Sequence, residues 1–521
     1  MTRQTFFILF LVLILAAFMR LYNLNGFGYF TGDEEIFHSM VKRVTVEGKP
    51  PLVIPNAQIG GSIGSFFILL ISPIFALVEN DPLILQMVGP IIGLVTTLAI
   101  FWVGNLIGRH VAILASILYA GSFMVSLFDR RLWTLSLDPL MIVLSIGALI
   151  KIAQRKYNYA LLLAVAISFA WHSDPAIAVA VVASVFTFFI FKIPIFKKEF
   201  IPAFFYLIFS VLPIIIFELR HPGTIFKPFL VHLVSRSTVE IKIFERLASI
   251  NIWPTVQNLS RSLFSAPIDT VEKYFCYCDK YPTPFFSPIP ELLTLGIFIV
   301  SIFWLVKTKN EFERNILKIL LIFITSFLIG ITIYTTVLAY DVYQHYFVVA
   351  FPPFLLLLAF VLNKLRNRLY LVYFFAFVFI TINLWTLINS SLRYPIKDKD
   401  ILVEKTIPFI SKSTFSIYAR GDYMDIYDGG WVTLFSKYNL VPNRSYLSDG
   451  WDFIYRTHSL YTYNPDSIDG EKIIIFHDFS DEFIKNKPNL ASKIEKILSL
   501  GHISATIIDN KEGWFNSKLL K

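Results

Sequence analysis

Apolar runs long enough to cross about 30 Å of hydrocarbon recur through residues 1–390. They lie at 5–22, 83–107, 111–128, 138–153, 158–172, 175–192, 200–218, 289–306, 315–337, 346–362 and 369–390. Inside a bilayer the backbone must satisfy its own hydrogen bonds, so runs of this kind are helices. The expected fold is an all-α polytopic membrane domain. Composition agrees: 55% of the 521 residues are hydrophobic and 16% are charged, against about 25% charged in soluble domains. The chain is read as a multi-pass protein of the plasma membrane. Its formal net charge of +9 reflects basic loops beside lipid phosphates rather than a nucleic-acid partner. Thr5 to Met19 reads as a retained first span, because no small-x-small cleavage site follows it.

One further apolar run, 62–78, opens with Gly60-Gly61-Ser62, is broken by Ser72-Pro73 and ends at Glu79-Asn80-Asp81. Basic residues favour cytoplasmic loops, and the clusters are Arg109-His110, Arg155-Lys156, Lys197-Lys198, Lys307 to Arg314, and Lys364 to Arg368. With a cytoplasmic N-terminus all five fall inside only if 62–78 does not cross. It is therefore expected to be a re-entrant or interface-lying helix, leaving about eleven spans. This orientation places outer loops at 23–82 and 219–288, a short one around 129–137, and Tyr340 to His345 on the extracytoplasmic face.

Residues 1–393 form the membrane domain in this reading, and 394–521 a small extracytoplasmic α/β domain. Thr414 to Tyr418, Lys472 to His477 and Ser504 to Asp509 are predicted strands. Segments 398–410, 429–439 and 481–499 are predicted helices, the last from Ile484, Leu490, Ile494 and Leu498 at helical spacing. Cys276 and Cys278 give no disulfide framework, since a bond between positions i and i+2 is strained.

Few charges interrupt this chain, so those at the outer ends of spans stand out. Asp33-Glu34-Glu35 follows the first span and opens a segment, 34–46, with the apolar pattern of an amphipathic helix lying on the membrane. Acidic residues at a helix start also complement the macrodipole. Asp129-Arg130-Arg131 precedes Leu137-Asp138-Pro139, where Asp138 either serves a site or pairs with an arginine. Tyr343-Gln344-His345-Tyr346 stands at another outer mouth, as site residues or as an aromatic belt. Arg220-His221, with Lys227, His232 and Arg236, makes the start of the long outer loop basic and suited to lipid phosphate. Trp171-His172-Ser173-Asp174 also reaches toward this face; a lone His there is more often structural.

In this order the motifs resemble membrane glycosyltransferases of the C superfamily (the GT-C fold), in the protein O-mannosyltransferase and lipid A aminoarabinose transferase branch. The residues are Arg20-Leu21-Tyr22, Gly32-Asp33-Glu34, Arg131, Leu137-Asp138-Pro139 and Gln344-His345-Tyr346-Phe347 before Pro352-Pro353. Gln58-Ile59-Gly60-Gly61 departs from the basic or His-Pro-Pro-type stretch often found there. The resemblance implies an inverting hexosyl- or pentosyltransferase. Such an enzyme moves a sugar from a polyprenyl-phosphate donor to an acceptor glycan, lipid or protein on the outer face. It implies catalytic roles for Asp33, Glu34 and Asp138, with Asp33 the general base. It gives Arg131, Arg220, His221, His345 and Tyr346 to substrate or phosphate, the first four as sources of cationic stabilisation. No cofactor is expected; Asp33 with Asp138 leaves a divalent metal open as the alternative.

Two other functions compete. A transporter or flippase of lipid-linked sugars would place charge near mid-membrane and show repeats; here charge gathers at one face. Transfer of a whole glycan, as by oligosaccharyltransferases, finds only Gly450-Trp451-Asp452 as an incomplete motif in the tail.

Overall fold

The computed structural model describes residues 2–56, 61–78, 81–227, 231, 251–267, 284–337, 343–420, 429–445, 468–479, 486–516 and 520. His232, Arg236, Cys276, Cys278, Gln58 to Gly60 and Gly450-Trp451-Asp452 lie outside them, as does the 340–342 part of the short outer loop. The helices are α1 (Arg3–Leu21), α2 (Gly32–Thr45), α3 (Phe66–Leu77), α4 (Pro82–Leu85), α5 (Val88–Ile107), α6 (Arg109–Gly121) and α7 (Phe123–Phe128). After them come α8 (Asp138–Ala153), α9 (Ala160–Ser168), α10 (Ala178–Ile190), α11 (Ile201–Arg220), α12 (Trp253–Ser260), α13 (Ile289–Lys307), α14 (Glu311–Thr332), α15 (Phe351–Lys364) and α16 (Leu369–Ile388). Seven helical stretches among the described residues are long and apolar enough to cross a membrane, and five more, including α3, α6 and α15, are apolar but shorter. The chain is an integral membrane protein.

Side-chain contacts sort the loops onto two ends of this bundle. Arg109 donates to Gln4 near the N-terminus (3.2 Å), the Tyr157 and Phe200 rings meet at 5.9 Å, Lys318 lies over Phe191, and Lys364 pairs with Glu313 at 2.6 Å. The basic clusters thus share one end. Arg20, at the far end of α1, instead meets Asp129 at 2.7 Å. The acidic and arginine-rich segments occupy the opposite end.

The segment between α1 and α5 is more structured than its sequence suggests. Strands β1 (Val53–Asn56) and β2 (Gly61–Gly64) form an antiparallel hairpin, and α3 follows. Twelve residues of helix rise about 18 Å, short of a crossing. The segment 34–46 does fold as a helix, but protein covers it: Glu34, Glu35, Ile36, His38, Ser39, Met40 and Val41 are all buried. Phe67, Ile68, Ile71 and Phe75 of α3 are buried too, whereas Leu69, Leu70, Ile74 and Leu77 remain exposed. The lipid-facing role therefore falls to α3, and α2 sits inside.

The run 111–128 is not one helix. Ser122 separates α6 from α7, and its hydroxyl donates to the Ser262 carbonyl at 2.7 Å. Asn383 accepts from the Phe123 N–H and donates to the Leu263 carbonyl, while Thr386 donates to the Ser265 carbonyl. Non-helical backbone at 262–265 is tolerated among apolar helices because these three side chains satisfy it.

Beyond residue 395 come α17 (Ile396–Ile410), α18 (Trp431–Lys437), α19 (Pro488–Ala491) and a five-stranded sheet. Its strands are β3 (Phe415–Arg420), β4 (Arg444–Ser445), β5 (Lys472–Asp478), β6 (Ile494–Leu500) and β7 (Ile503–Asp509), in the order β4-β3-β5-β7-β6. Strand β3 runs parallel to β4 and β5, whereas β7 runs antiparallel to β5 and β6. Ile473 to Phe476 are wholly buried, as an unbroken apolar strand covered on both faces should be. Expected helix 481–499 is corrected over its described residues, 486–499: Pro488–Ala491 is helical, and Ile494–Leu500 is an edge strand. Residues four apart share a face on a helix and on a regular strand alike, so their spacing does not separate the two; here a bulge between Ile494 and Lys496 sends Ile494 and Leu498 to opposite faces of the sheet. The buried core runs unbroken from membrane helices through Phe27, Tyr29 and Phe30 to Ile396, Trp431 and Phe476.

Candidate active site

Helix α2 begins with Thr31-Gly32-Asp33-Glu34, and its first turn carries three carboxylates. Glu34 folds back on the chain entering the helix: its Oε2 accepts the Thr31 N–H at 2.9 Å and the Thr31 hydroxyl at 2.6 Å. Its Oε1 takes the Arg131 guanidinium at 2.8 Å from Nε and 2.6 Å from the terminal nitrogen. Both partners are buried, Arg131 at 6% and Glu34 at 2% side-chain exposure. Arg131 also lies over the Trp133 ring at 3.8 Å and the Tyr29 ring at 4.5 Å, a setting that suits a planar, weakly hydrated cation.

Asp33 is placed differently. Its side chain is 58% exposed, with Oδ2 4.0 Å from Arg131. Surrounding protein nonetheless desolvates it, and that desolvation, with the neighbouring Glu34 charge, raises its pKa against the pull of Arg131. The carboxylate is thus open to solvent while protein crowds it from the side of Glu34 and Arg131. Glu34, expected from sequence as a catalytic carboxylate, is buried with its oxygens bonded to Thr31 and Arg131. The Thr31-x-x-Glu34 spacing, a capping-box signal, is where the sequence already carried this.

The loop 129–131 is fixed from both sides. Asp129 accepts from Arg20 Nε at 2.8 Å, and a terminal nitrogen of the same guanidinium lies 2.7 Å from its carboxylate as an ion pair. Arg130 donates to the Met19 carbonyl and lies over Phe27; burial and the Arg20 charge lower its pKa to about 9, so it stays cationic at neutral pH. A Cβ on Gly89 of α5 would come within 2.5 Å of the Asp129 carbonyl oxygen and 2.6 Å of that of Arg131. Backbone cannot yield as a side chain can, so Gly89→Ala is expected to displace the arginine loop. We expect a loss of about 1–3 kcal/mol of stability in protein that still inserts, checked by thermal denaturation in detergent.

His345 and Tyr346 lie in a buried 3₁₀ turn, Gln344–Val349. The His345 ring meets Trp133 edge-on at 5.1 Å and stacks on Tyr343 at 5.3 Å, so it joins the Arg131 group through Trp133. Burial and the Arg131 charge push its pKa down to about 3. It is neutral at physiological pH, which corrects the expected cationic role. Gln344 ties the turn to α12, accepting from Arg261 at 2.7 Å and donating to the Asn258 carbonyl at 3.0 Å. The Tyr346 hydroxyl stands 3.5 Å from that of Tyr334.

Asp138 at the start of α8 is wholly buried, and neither carboxylate oxygen nor the adjacent Ser173 hydroxyl finds a well-formed hydrogen bond among the described residues. It pairs with neither Arg130 nor Arg131 among them; Ser173 and Asp174 are its polar neighbours. Asp174 caps the following turn through the Ala176 N–H at 2.8 Å. His172 contacts the Ser210 carbonyl at 2.9 Å, a structural role. Arg220 and His221 are exposed at the end of α11, whose Ile214 packs with Val53 of the first outer loop. No hydrogen bond or ion pair among the described residues brings them to Asp33 or Arg131.

Among the described residues no three of His, Cys, Asp and Glu converge as metal ligands. The charged neighbours of Asp33 are Glu34 and Arg131, and the polar neighbours of Asp138 are Ser173 and Asp174; no step is routed through a metal. Sequence reasoning missed Tyr29 and Trp133 as the aromatic bed of Arg131, although Trp133 stands only two residues beyond it.

No protein-family model matches the chain, and no curated protein matches it. Solved structures similar to it include the oligosaccharyltransferase of Archaeoglobus fulgidus in complex with zinc and sulfate. That protein is 10% identical, with 93% of this chain and 69% of the other aligned and a TM-score of 0.46. ArnT from Cupriavidus metallidurans is also similar, over 97% of each chain. The TM-score is 0.43 for the apo state at 10% identity and 0.43 for the undecaprenyl phosphate complex at 11% identity.

Proposed function

We propose that this protein is an inverting membrane glycosyltransferase, moving a sugar from a polyprenyl-phosphate donor to a hydroxyl acceptor at the extracytoplasmic face. The observation that carries the reading is Asp33: an accessible, desolvated carboxylate on a helix locked by Glu34 and Arg131. The order of motifs shared with C-superfamily glycosyltransferases supports it, as does the gathering of basic loops at the opposite end of the bundle. Under the positive-inside rule that end is cytoplasmic.

Asp33 takes the acceptor proton as its oxygen attacks the anomeric carbon; the bond to the lipid phosphate breaks with its electron pair through an oxocarbenium-like state. The leaving phosphodiester becomes a monoester and gains one negative charge. The site charge compensates. Arg20, Arg130 and Arg131 face Asp129, Glu34 and Asp33, so the group is neutral with Asp33 ionised. It becomes cationic by one when Asp33 is protonated, as the phosphate charge develops. His345 and Tyr346 then serve as neutral hydrogen-bonding groups. The chemistry asks only a hydroxyl of the acceptor: glycan, lipid or protein would meet the same base.

Membranes carrying the protein, supplied with a panel of radiolabelled polyprenyl-phosphate sugars, are expected to form a labelled product from at least one donor. Movement of labelled lipid across the bilayer without product would defeat the reading in favour of a flippase. Sidedness is checked in a variant with Cys276 and Cys278 replaced by serine. Cysteine at Lys511 is expected to react with a membrane-impermeant thiol reagent in intact cells, and cysteine at Lys197 only after lysis. The reverse pattern would overturn the assigned orientation.

A further inference from the structure

Glu35 follows the two site carboxylates on the same helical turn but faces the other way, about 200° around the axis from Asp33. It is wholly buried. Its Oε1 accepts the backbone N–H of Thr433, at 2.8 Å, in the first turn of α18. That turn lies nearly 400 residues on, in the sheet-bearing tail. The first-turn N–H groups of a helix have no partner within it, so this contact answers a need of α18 with a charge from α2.

Other contacts make the junction specific. Lys399 of α17, also wholly buried, donates to the Phe30 carbonyl at 2.7 Å and lies over the Trp431 ring. Gly430 adopts φ +72°, and a Cβ there would strike the Phe30 ring at 2.3 Å, so only glycine lets this turn reach the loop. The Ile396 N–H bonds the Gly28 carbonyl at 3.0 Å, and Lys42, near the other end of α2, donates to Ser436 at 2.8 Å. Trp431 stacks face to face on Phe476 of β5 at 3.8 Å, tying the junction to the sheet. Helix α2 is thus held on one side by Arg131 of the membrane part and on the other by α18.

We propose that Glu35 is a positioning residue for Asp33: through its bond to Thr433 the outer domain sets where the helix bearing the base sits. The inference rests on the glycosyltransferase reading above. A displacement of about 1 Å at a reacting group costs on the order of a hundredfold in rate, so a side chain that touches no substrate can govern turnover. The outer domain is on this account a working part of the site and not an appendage.

The test uses the full-length protein in lipid nanodiscs, with steady-state kinetics and hydrogen exchange of the peptide containing Thr433. Glu35→Ala is expected to lower kcat by about 10- to 100-fold, leave the donor KM within about twofold, and speed exchange at Thr433. Glu35→Gln keeps an oxygen that accepts the same N–H, and is expected to restore slow exchange and most of kcat. If Glu35→Ala does not accumulate, Glu35→Asp, one methylene short of the contact, reads the same two quantities. Wild-type kcat alongside fast Thr433 exchange would overturn the positioning role while leaving the glycosyltransferase reading intact. So would a glutamine variant that restores slow exchange without restoring rate. A wild-type protein that transfers no sugar from any donor would instead remove the reading itself, whatever the exchange at Thr433 shows.

Discussion

Asp33→Asn is expected to lower sugar transfer by about three orders of magnitude, within the range a positioned general base contributes. The amide keeps the shape and exposure of the carboxyl but cannot accept the proton. Transfer measured in membranes at saturating donor and acceptor should fall while the protein stays inserted and folded. The pH dependence has a definite sign. Desolvation and Glu34 raise the Asp33 pKa, and the base works only when ionised. The acid limb of wild-type kcat/KM therefore lies above the ordinary aspartate value of about 3.9, with activity lost as pH falls through it. For stability the sign is opposite. A carboxyl whose folded pKa is raised binds its proton more tightly folded than unfolded, so its contribution weakens as pH rises through that window. Asp33→Asn is accordingly expected to melt no lower than wild type at neutral pH. Unchanged transfer by the asparagine variant would remove Asp33 from the chemistry.

Arg131→Met should cost both stability and activity. Removing one member of a buried ion pair leaves the other charge desolvated and unpaired, a loss of about 3–5 kcal/mol; here the stranded group is Glu34, at 2% exposure. Its link to Thr31 would then hold a carboxylate with no counter-charge at the start of α2, and Asp33 would lose its only cation within 4.0 Å among the described residues. Thermal denaturation in detergent reads the first effect and single-turnover transfer the second. The double variant Arg131→Met with Glu34→Gln separates them. With neither charge present the desolvation penalty is gone, so much of the stability should return, while transfer should stay at least about a hundredfold down. Return of activity together with stability would mean that the pair is scaffold only. Arg131→Lys is no gentle control, because an ammonium cannot bond Glu34 twice and lie flat over Trp133 and Tyr29 as well.

What the sequence made legible follows from periods and charge economy. Apolar runs located the helices of the bundle, and charges rare enough to be noticed located Asp33, Arg131 and His345. The predicted strands at 414–418, 472–477 and 504–509 recur as β3, β5 and β7, since long β-branched runs bounded by turns have few other uses. The helix expected at 481–499 shows the limit: spacing by four residues does not separate helix from strand.

Other features of the candidate site are not carried by local sequence. Glu34 and Asp33 are adjacent carboxylates of nearly the same chemistry, and nothing local says that one is locked to Arg131, 97 residues away, while the other stays open. His345 carries the same imidazole in the sequence whether it ends as cation or neutral; burial beside Arg131 makes it neutral. Arg220 and His221 read as well placed because the sequence assigns them to the right end of a span, yet they lie exposed, with no described bond to Asp33 or Arg131.

By itself the sequence determined that this chain enters a membrane, where its apolar helices lie, and that its sparse charges fall mostly between those helices rather than within them. Those properties are sums over local composition and spacing, and hydrocarbon enforces them segment by segment. The tertiary structure alone decided which carboxylate is free, which arginine is paired, and that Glu35 reaches Thr433 across nearly the whole chain. Each of those depends on desolvation and on contacts between segments hundreds of residues apart, quantities that exist only once the chain has closed on itself.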